Sequence, residues 1–197
     1  MQHEAGKKFH RMDIGAHVSQ CCAGRSRTLV HDGRCFSWIC FHDILSPGPG
    51  SPSGGEGMLS PADGKIIQAT PQKITIFMSP SNVHVNRAPL DGVVRDIEYR
   101  KGTHRPAFMK RACKNQQNRM YLETDDGEME LCQITGTLVR KIICYVQPGD
   151  QVSRGERIGM IRFGSRVEVS IPCGYNLLVN KGDKVRAGET VVAVRSS

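Results

Sequence analysis

The stretches "VQPGDQVSRGERIGMI" (146–161) and "VNKGDKVRAGETVVAV" (179–194) are two copies of one pattern, Gly-Asp-x-Val-x-x-Gly-Glu followed by an apolar run. Gly149, Asp150, Val152, Gly155 and Glu156 of the first copy correspond to Gly182, Asp183, Val185, Gly188 and Glu189 of the second. Each residue type has a physical reason for its place. Glycine reaches positive φ in a tight turn, Asp hydrogen-bonds the backbone of its own turn, and Val enters the core as the next strand begins. Between the copies lies "MIRFGSRVEV" (160–169), with Gly164-Ser165 where the halves meet. The repeat predicts an exposed hairpin tip at that pair.

Outward from the repeat, short β-type runs alternate with turn signals from Met58 onward. The runs are "KIIQAT", "KITIFM", "GVVRDIEY", "RMYLET", "MELCQIT", "LVRKIICYV", "RIGMIRF", "RVEVSI" and "ETVVAV". Their spacing predicts a mainly β domain, a compact sandwich or barrel. "RPAFMKRACKNQQN" (105–118) is the one helical or loop excursion. Residues 1–57 hold no sustained periodicity and end in "SPGPGSPSGGEG" (46–57), a linker by composition. The expected division is an irregular extension over 1–57 and a folded domain over 58–197.

The chain has 197 residues and a formal charge of +8. Residues 1–57 hold six Lys or Arg against five Asp or Glu, so seven of the eight excess charges lie in 58–197. A basic surface suits nucleic acid or an anionic membrane, and it also serves plain solubility. Nucleic acid is disfavoured: the interleaved aromatics of a single-strand platform and the recognition motifs are missing. The longest apolar run, "CFSWICF" (35–41), is far short of the ~18 residues of a bilayer span. The amino-terminal residues lack the apolar core of a signal peptide, so the eight cysteines are expected to be reduced. His17, Cys21, Cys22, His31, Cys35, Cys40 and His42 are zinc-type ligands without a Cys-x-x-Cys or His-x-x-x-His pair. No metal site is expected from them.

The repeat resembles biotinyl/lipoyl carrier domains, which implies a barrel-sandwich hybrid core. A carrier needs an acceptor Lys at the tip, and here Ser165 stands there. Three further stretches, in order, carry a more specific resemblance: "LSPADGKI" (59–66), "IFMSPSNVHVNRAPLDGVV" (76–94) and "KIICYVQPGDQVSRGERIGMIRFGSR" (141–166). With "KGTHRPAF" and "LETDDG" between them, they resemble the short, bacterial and archaeal type of the phosphatidylserine decarboxylase family. The resemblance runs from Met58 to the carboxyl terminus.

That resemblance implies a self-processing enzyme, cut between Gly164 and Ser165 into a β chain (1–164) and an α chain (165–197). Ser165 would become a pyruvoyl group, a ketone that condenses with a substrate amine and takes up the electrons released as CO₂ leaves. His84 is the implied base for the cut and the implied acid for the later protonation, with Asp63 orienting it. Arg87 and Arg166 are offered for the lipid phosphate. Taken singly, Asp63 reads as a turn residue, His84 as a structural histidine and Ser165 as part of a turn. The order of the motifs is what joins them. Longer members of the family carry His-x-x-His where this chain has "HVNR", so one base serves both steps. The implied substrate is phosphatidylserine, giving phosphatidylethanolamine, or the archaeal ether-lipid counterpart. The implied setting is peripheral, on the anionic cytoplasmic face of the cell membrane, as an α/β heterodimer or a higher oligomer of it. The front of the chain departs from the family, whose members carry hydrophobic segments there. The rival reading is a non-catalytic biotinyl/lipoyl-like module.

Overall fold

A computed structural model describes residues 57–137, 141–161 and 164–196. The amino-terminal extension and its cysteines and histidines lie outside the described residues, as does all of the linker but Gly57. The described residues belong to one compact unit, Cys35–Ser197.

The strands are β1 (Met58–Leu59), β2 (Gly64–Thr70), β3 (Lys73–Met78), β4 (Val85–Arg87), β5 (Gly92–Arg100), β6 (Gln117–Thr124), β7 (Gly127–Ile134), β8 (Ile142–Cys144), β9 (Gln151–Val152), β10 (Arg157–Ile161), β11 (Ser165–Ser170), β12 (Tyr175–Leu177), β13 (Lys184–Val185) and β14 (Val191–Arg195). The expected runs all carry strands, and among the described residues of "LVRKIICYV" the strand covers Ile142–Cys144. The excursion holds a 3-10 turn, Lys110–Lys114, and then enters β6. No helix among the described residues is long and apolar enough to cross a membrane.

Alternation decides which faces are buried. Ile74, Ile76 and Met78 of β3, Met120 and Leu122 of β6, and Met129 and Leu131 of β7 point inward and are fully buried. Each such side chain contributes about 1.5–3 kcal/mol. Ile66, Val152, Ile158, Val167, Val169 and Val185 complete much of the same core.

The sheets pair off into two like halves. The large sheet has the order β13-β2-β3-β11-β7-β6-β5-β9, and the small ones are β1-β14-β12 and β4-β10-β8. Read from either edge, the large sheet repeats itself about the β11–β7 junction, and each small sheet mirrors the other. Both halves carry a bulge at the same place, between Ile66 and Gln68 in one and between Val94 and Asp96 in the other. The Gly-Asp repeats behave alike too. Asp150 Oδ2 accepts the Gln147 amide at 2.9 Å, and Asp183 Oδ2 accepts the Asn180 amide at 2.7 Å. Val152 lies opposite Gly92, and Val185 opposite Gly64. Pro61-Ala62-Asp63-Gly64 and Pro89-Leu90-Asp91-Gly92 are thus a second repeated pair, locked onto the first. The expected mainly β domain is thus present as two interlocked halves, an arrangement compatible with a barrel-sandwich core.

Candidate active site

Two crossing segments build the site. The loop from β3 to β4 carries His84, and the connection from β10 to β11 carries Gly164 and Ser165. The described residues at the two ends of that connection are each joined to the β3–β4 segment. The Ile161 amide donates to the His84 carbonyl at 3.1 Å, and Ser165 pairs with Met78. Asn82 stiffens the loop: its Oδ1 accepts the Ser79 amide at 2.8 Å and the Ser79 hydroxyl at 2.7 Å.

This corrects one expectation. Gly164-Ser165 is not an exposed hairpin tip. β10 pairs with β4 and β8, whereas β11 pairs with β3 and β7, so the connection crosses between sheets. Ser165 opens β11 with 0% exposure. Its hydroxyl has no hydrogen-bond partner among the described residues. A buried hydroxyl in that state costs about 1–3 kcal/mol.

Gly164 has φ +62°, the left-handed region. Its carbonyl oxygen lies against Gly136, just past the end of β7. A Cβ at Gly136 would sit 1.7 Å from that oxygen. Gly136 itself is not among the positive-φ glycines, so space and not backbone conformation forbids a side chain. Asn115 fixes this neighbourhood. Its Nδ2 donates to the Thr135 carbonyl at 2.8 Å and the Arg105 carbonyl at 2.7 Å. Its Oδ1 accepts the Arg105 amide at 2.9 Å and the Thr103 hydroxyl at 3.0 Å.

Asp63 reaches the same region from the first half. Its Oδ1 accepts the Ala187 amide at 2.7 Å, and the nearby amide of Val83, the residue before His84, helps to hold its pKa down. Burial raises its pKa above the ordinary 3.8, with Glu189 adding to the rise and the two amides and Arg186 opposing it. Its counterpart Asp91 makes the matching clasp, accepting the Arg154 amide at 2.8 Å. The link to Val83 is what sets Asp63 apart.

His84 is buried, at 5% exposure. A buried polar chain holds its strand: Asn118 Nδ2 donates to Gln133 Oε1 at 3.0 Å, and Gln133 Nε2 to Asn86 Oδ1 at 2.8 Å. Asn86 Nδ2 in turn reaches the Pro61 carbonyl at 3.4 Å. Nothing local in the sequence marks Asn115 or Gly136. For Asn86 the one available signal was its place inside "HVNR".

The two arginines sit apart. Arg166 projects to the face of β11 opposite Ser165 and is 4% exposed. Its Nη2 meets Glu168 at 2.9 Å, and its Nη1 donates to the Met109 carbonyl at 3.3 Å. It lines a cleft of about 730 Å³ with Lys73, Thr75, Phe108, Glu168 and Lys181. Arg87 does not line that cleft, and its Nη1 donates to the Gly155 carbonyl at 2.6 Å. Burial and Arg157 pull the Arg87 guanidinium below its usual pKa, while Asp63 and Glu189 pull the other way. No group of His, Cys, Asp and Glu able to hold a metal ion occurs among the described residues.

Residues 40–193 match the family described as phosphatidylserine decarboxylase. A Methanosarcina acetivorans protein under the provisional name archaetidylserine decarboxylase proenzyme is 49% identical over 136 residues, 69% of this chain and 65% of that one. The phosphatidylserine decarboxylase proenzyme of Nitratidesulfovibrio vulgaris is 39% identical over 172 residues, 81% of this chain and 79% of its own. That of Thermobifida fusca is 46% identical over 144 residues, 71% of this chain and 66% of its own. The chain thus spans about two thirds of the length of the first and third of these relatives.

Proposed function

We propose, from the premise that this chain belongs to the phosphatidylserine decarboxylase family, that it cuts itself at Gly164-Ser165 and then decarboxylates a serine phospholipid. The observation that carries the reading is the Ser165 hydroxyl, fully buried and without a partner among the described residues, directly after a left-handed glycine.

The cut follows from the chain's own groups. Ser165 Oγ adds to the Gly164 carbonyl carbon as its proton passes to His84. The amide nitrogen leaves, taking a proton, and an ester replaces the amide. Loss of the Ser165 α-proton then expels the Gly164 carboxylate. The enamine left behind tautomerises to an imine, and water hydrolyses it, releasing ammonia and leaving a ketone at the new terminus. Asp63 positions His84 through the Val83 backbone.

The orphaned serine hydroxyl fits a pyruvoyl group formed in place. Such a group supplies an electron sink for the electrons freed when CO₂ departs. His84 is the proton source for the carbon left behind. Arg166, which lines the cleft on the face of β11 opposite Ser165, and Arg87 are the two candidates for the lipid phosphate. The relatives' names divide between archaetidylserine and phosphatidylserine, so the shared chemistry is the serine head group. Assays with diacyl and ether-linked substrates separate the two backbones. The cut protein would be an α/β heterodimer, or a higher oligomer of it, bound peripherally to the anionic cytoplasmic face of a membrane.

A denaturing gel tests the proposal. Wild-type protein should run as two chains and Ser165→Ala as one. A cut Ser165→Ala protein would remove the serine from its role. An uncut wild type would favour the non-catalytic barrel module.

A further inference from the structure

The segment 99–122 contains seven Lys or Arg and no Asp or Glu, against a net charge of +8 for the whole chain. It runs from the end of β5 through the excursion into β6. At its apex two large apolar side chains face solvent, Phe108 at 60% and Met109 at 46% exposure. Phe108 is braced, not loose: its ring packs edge-on against Phe77 at 6.0 Å between centroids. Lys101, Arg105, Arg111 and Lys114 around it are exposed as well. Two apolar residues at a loop tip, ringed by cations, match the make-up of a bilayer interface, where apolar groups enter the acyl boundary and cations meet anionic head groups. Tyr99, 54% exposed, extends the apolar part at the base of the excursion.

The same excursion touches the reaction site. The Met109 carbonyl accepts from Arg166, the neighbour of Ser165. The Ala107 methyl lies 3.7 Å from where a Cβ on Gly136 would stand, and Asn115 ties the excursion to Thr135. Phe108 also lines the cleft that holds Arg166.

We infer that the loop 105–114 is the membrane-docking element, with Phe108 and Met109 entering an anionic bilayer and Arg105, Arg111 and Lys114 contacting its head groups. This rests on the decarboxylase reading above, and it adds the surface through which a lipid substrate arrives. Docking by this loop sets the bilayer beside the cleft and near Gly136, against which the Gly164 carbonyl lies.

Co-sedimentation with phosphatidylcholine vesicles, with and without phosphatidylglycerol, tests it; neither lipid has a serine head group. Full-length wild type should bind the anionic vesicles and release them as salt rises. Phe108→Ser/Met109→Ser should weaken partitioning roughly tenfold or more, the burial of one large apolar side chain. Arg111→Glu/Lys114→Glu should weaken it by at least about tenfold. Arg95→Glu, a reversal at an exposed position of β5 outside the loop, should change it far less. All are surface changes, and thermal unfolding checks that each variant folds. Loop variants that bind like wild type would overturn the inference, as would an equal loss in Arg95→Glu, which would mean attraction by net charge alone. Wild type that binds an oligonucleotide but no vesicle would also overturn it. Loop-dependent vesicle binding by a chain that never cuts itself would leave the docking surface standing and sink the decarboxylase reading.

Discussion

The Gly164 carbonyl oxygen lies so near Gly136 that a Cβ on residue 136 would stand 1.7 Å from it. The bond proposed to break is therefore aimed by a glycine nearly thirty residues away in sequence. Its partner Gly164 adds the left-handed φ that turns the chain from one sheet into the next. Gly136 has no positive φ, so Gly136→Ala should act by crowding and displacing that carbonyl, and thermal unfolding checks that the variant folds. A shift of about 1 Å costs roughly a hundredfold in rate. Time courses of chain cleavage should show a loss of that order. Gly92→Ala, whose Cβ would meet the Glu123 carbonyl oxygen at 2.6 Å, is the control. It should lower the melting temperature without slowing the cut at matched folded fraction.

His84→Ala should abolish cleavage or slow it by about 10²–10⁴-fold, the range for a lost general base. The Ile161 bond uses the His84 main chain, so the alignment of the two segments survives the change. Asn86→Ala removes the acceptor of Gln133 Nε2 and should cost about 1–3 kcal/mol in stability. A fast, complete cut by His84→Ala would take the base away from this residue.

Asp63 and Asp91 offer a matched pair. Both clasp a backbone amide in equivalent turns, but the Val83 link belongs to Asp63. Asp91→Asn should cleave normally and lose at most about 1 kcal/mol. Asp63→Asn should cleave slowly. The contribution of Asp63 to stability carries a pH signature. Because the folded-state pKa of Asp63 is raised above 3.8, the fold holds this proton more tightly than the unfolded chain does. Its contribution is complete below the unfolded value and is lost as pH rises through the folded one. The melting temperature of Asp63→Asn relative to wild type should therefore improve as pH rises across that window. A constant difference would mean that Asp63 titrates normally.

Much of this fold is legible in the sequence, because alternation and turn residues are local signals. β2 and β3 fall almost where "KIIQAT" and "KITIFM" place them, and the Gly-Asp repeat reads directly as paired turns. The burial of Ser165 is not local. It follows from β11 pairing with β3 and β7 while β10 joins another sheet, and no periodicity near residue 164 encodes that choice. Gly136 and Asn115 act through contacts with distant segments, so each looks ordinary in its own stretch. The twin Pro-x-Asp-Gly turns were visible as letters, but their pairing with the Gly-Asp repeat appears only in three dimensions.

Cys132 is buried on β7, and burial pushes its thiol up to about 12. Cys113, Cys144 and Cys173 are exposed. A thiolate-directed reagent at mildly alkaline pH should label those three in the native protein and reach Cys132 only after unfolding. Peptide mapping reads the outcome. Native labelling of Cys132 would mean that the β7–β11 junction opens.

The most direct measurement is the intact mass of purified full-length protein. The account predicts two chains, 1–164 and 165–197, with the smaller one lighter by one ammonia than a plain hydrolytic fragment and resistant to stepwise amino-terminal degradation. A single unbroken chain, or a small fragment with an ordinary serine at its amino terminus, would contradict it.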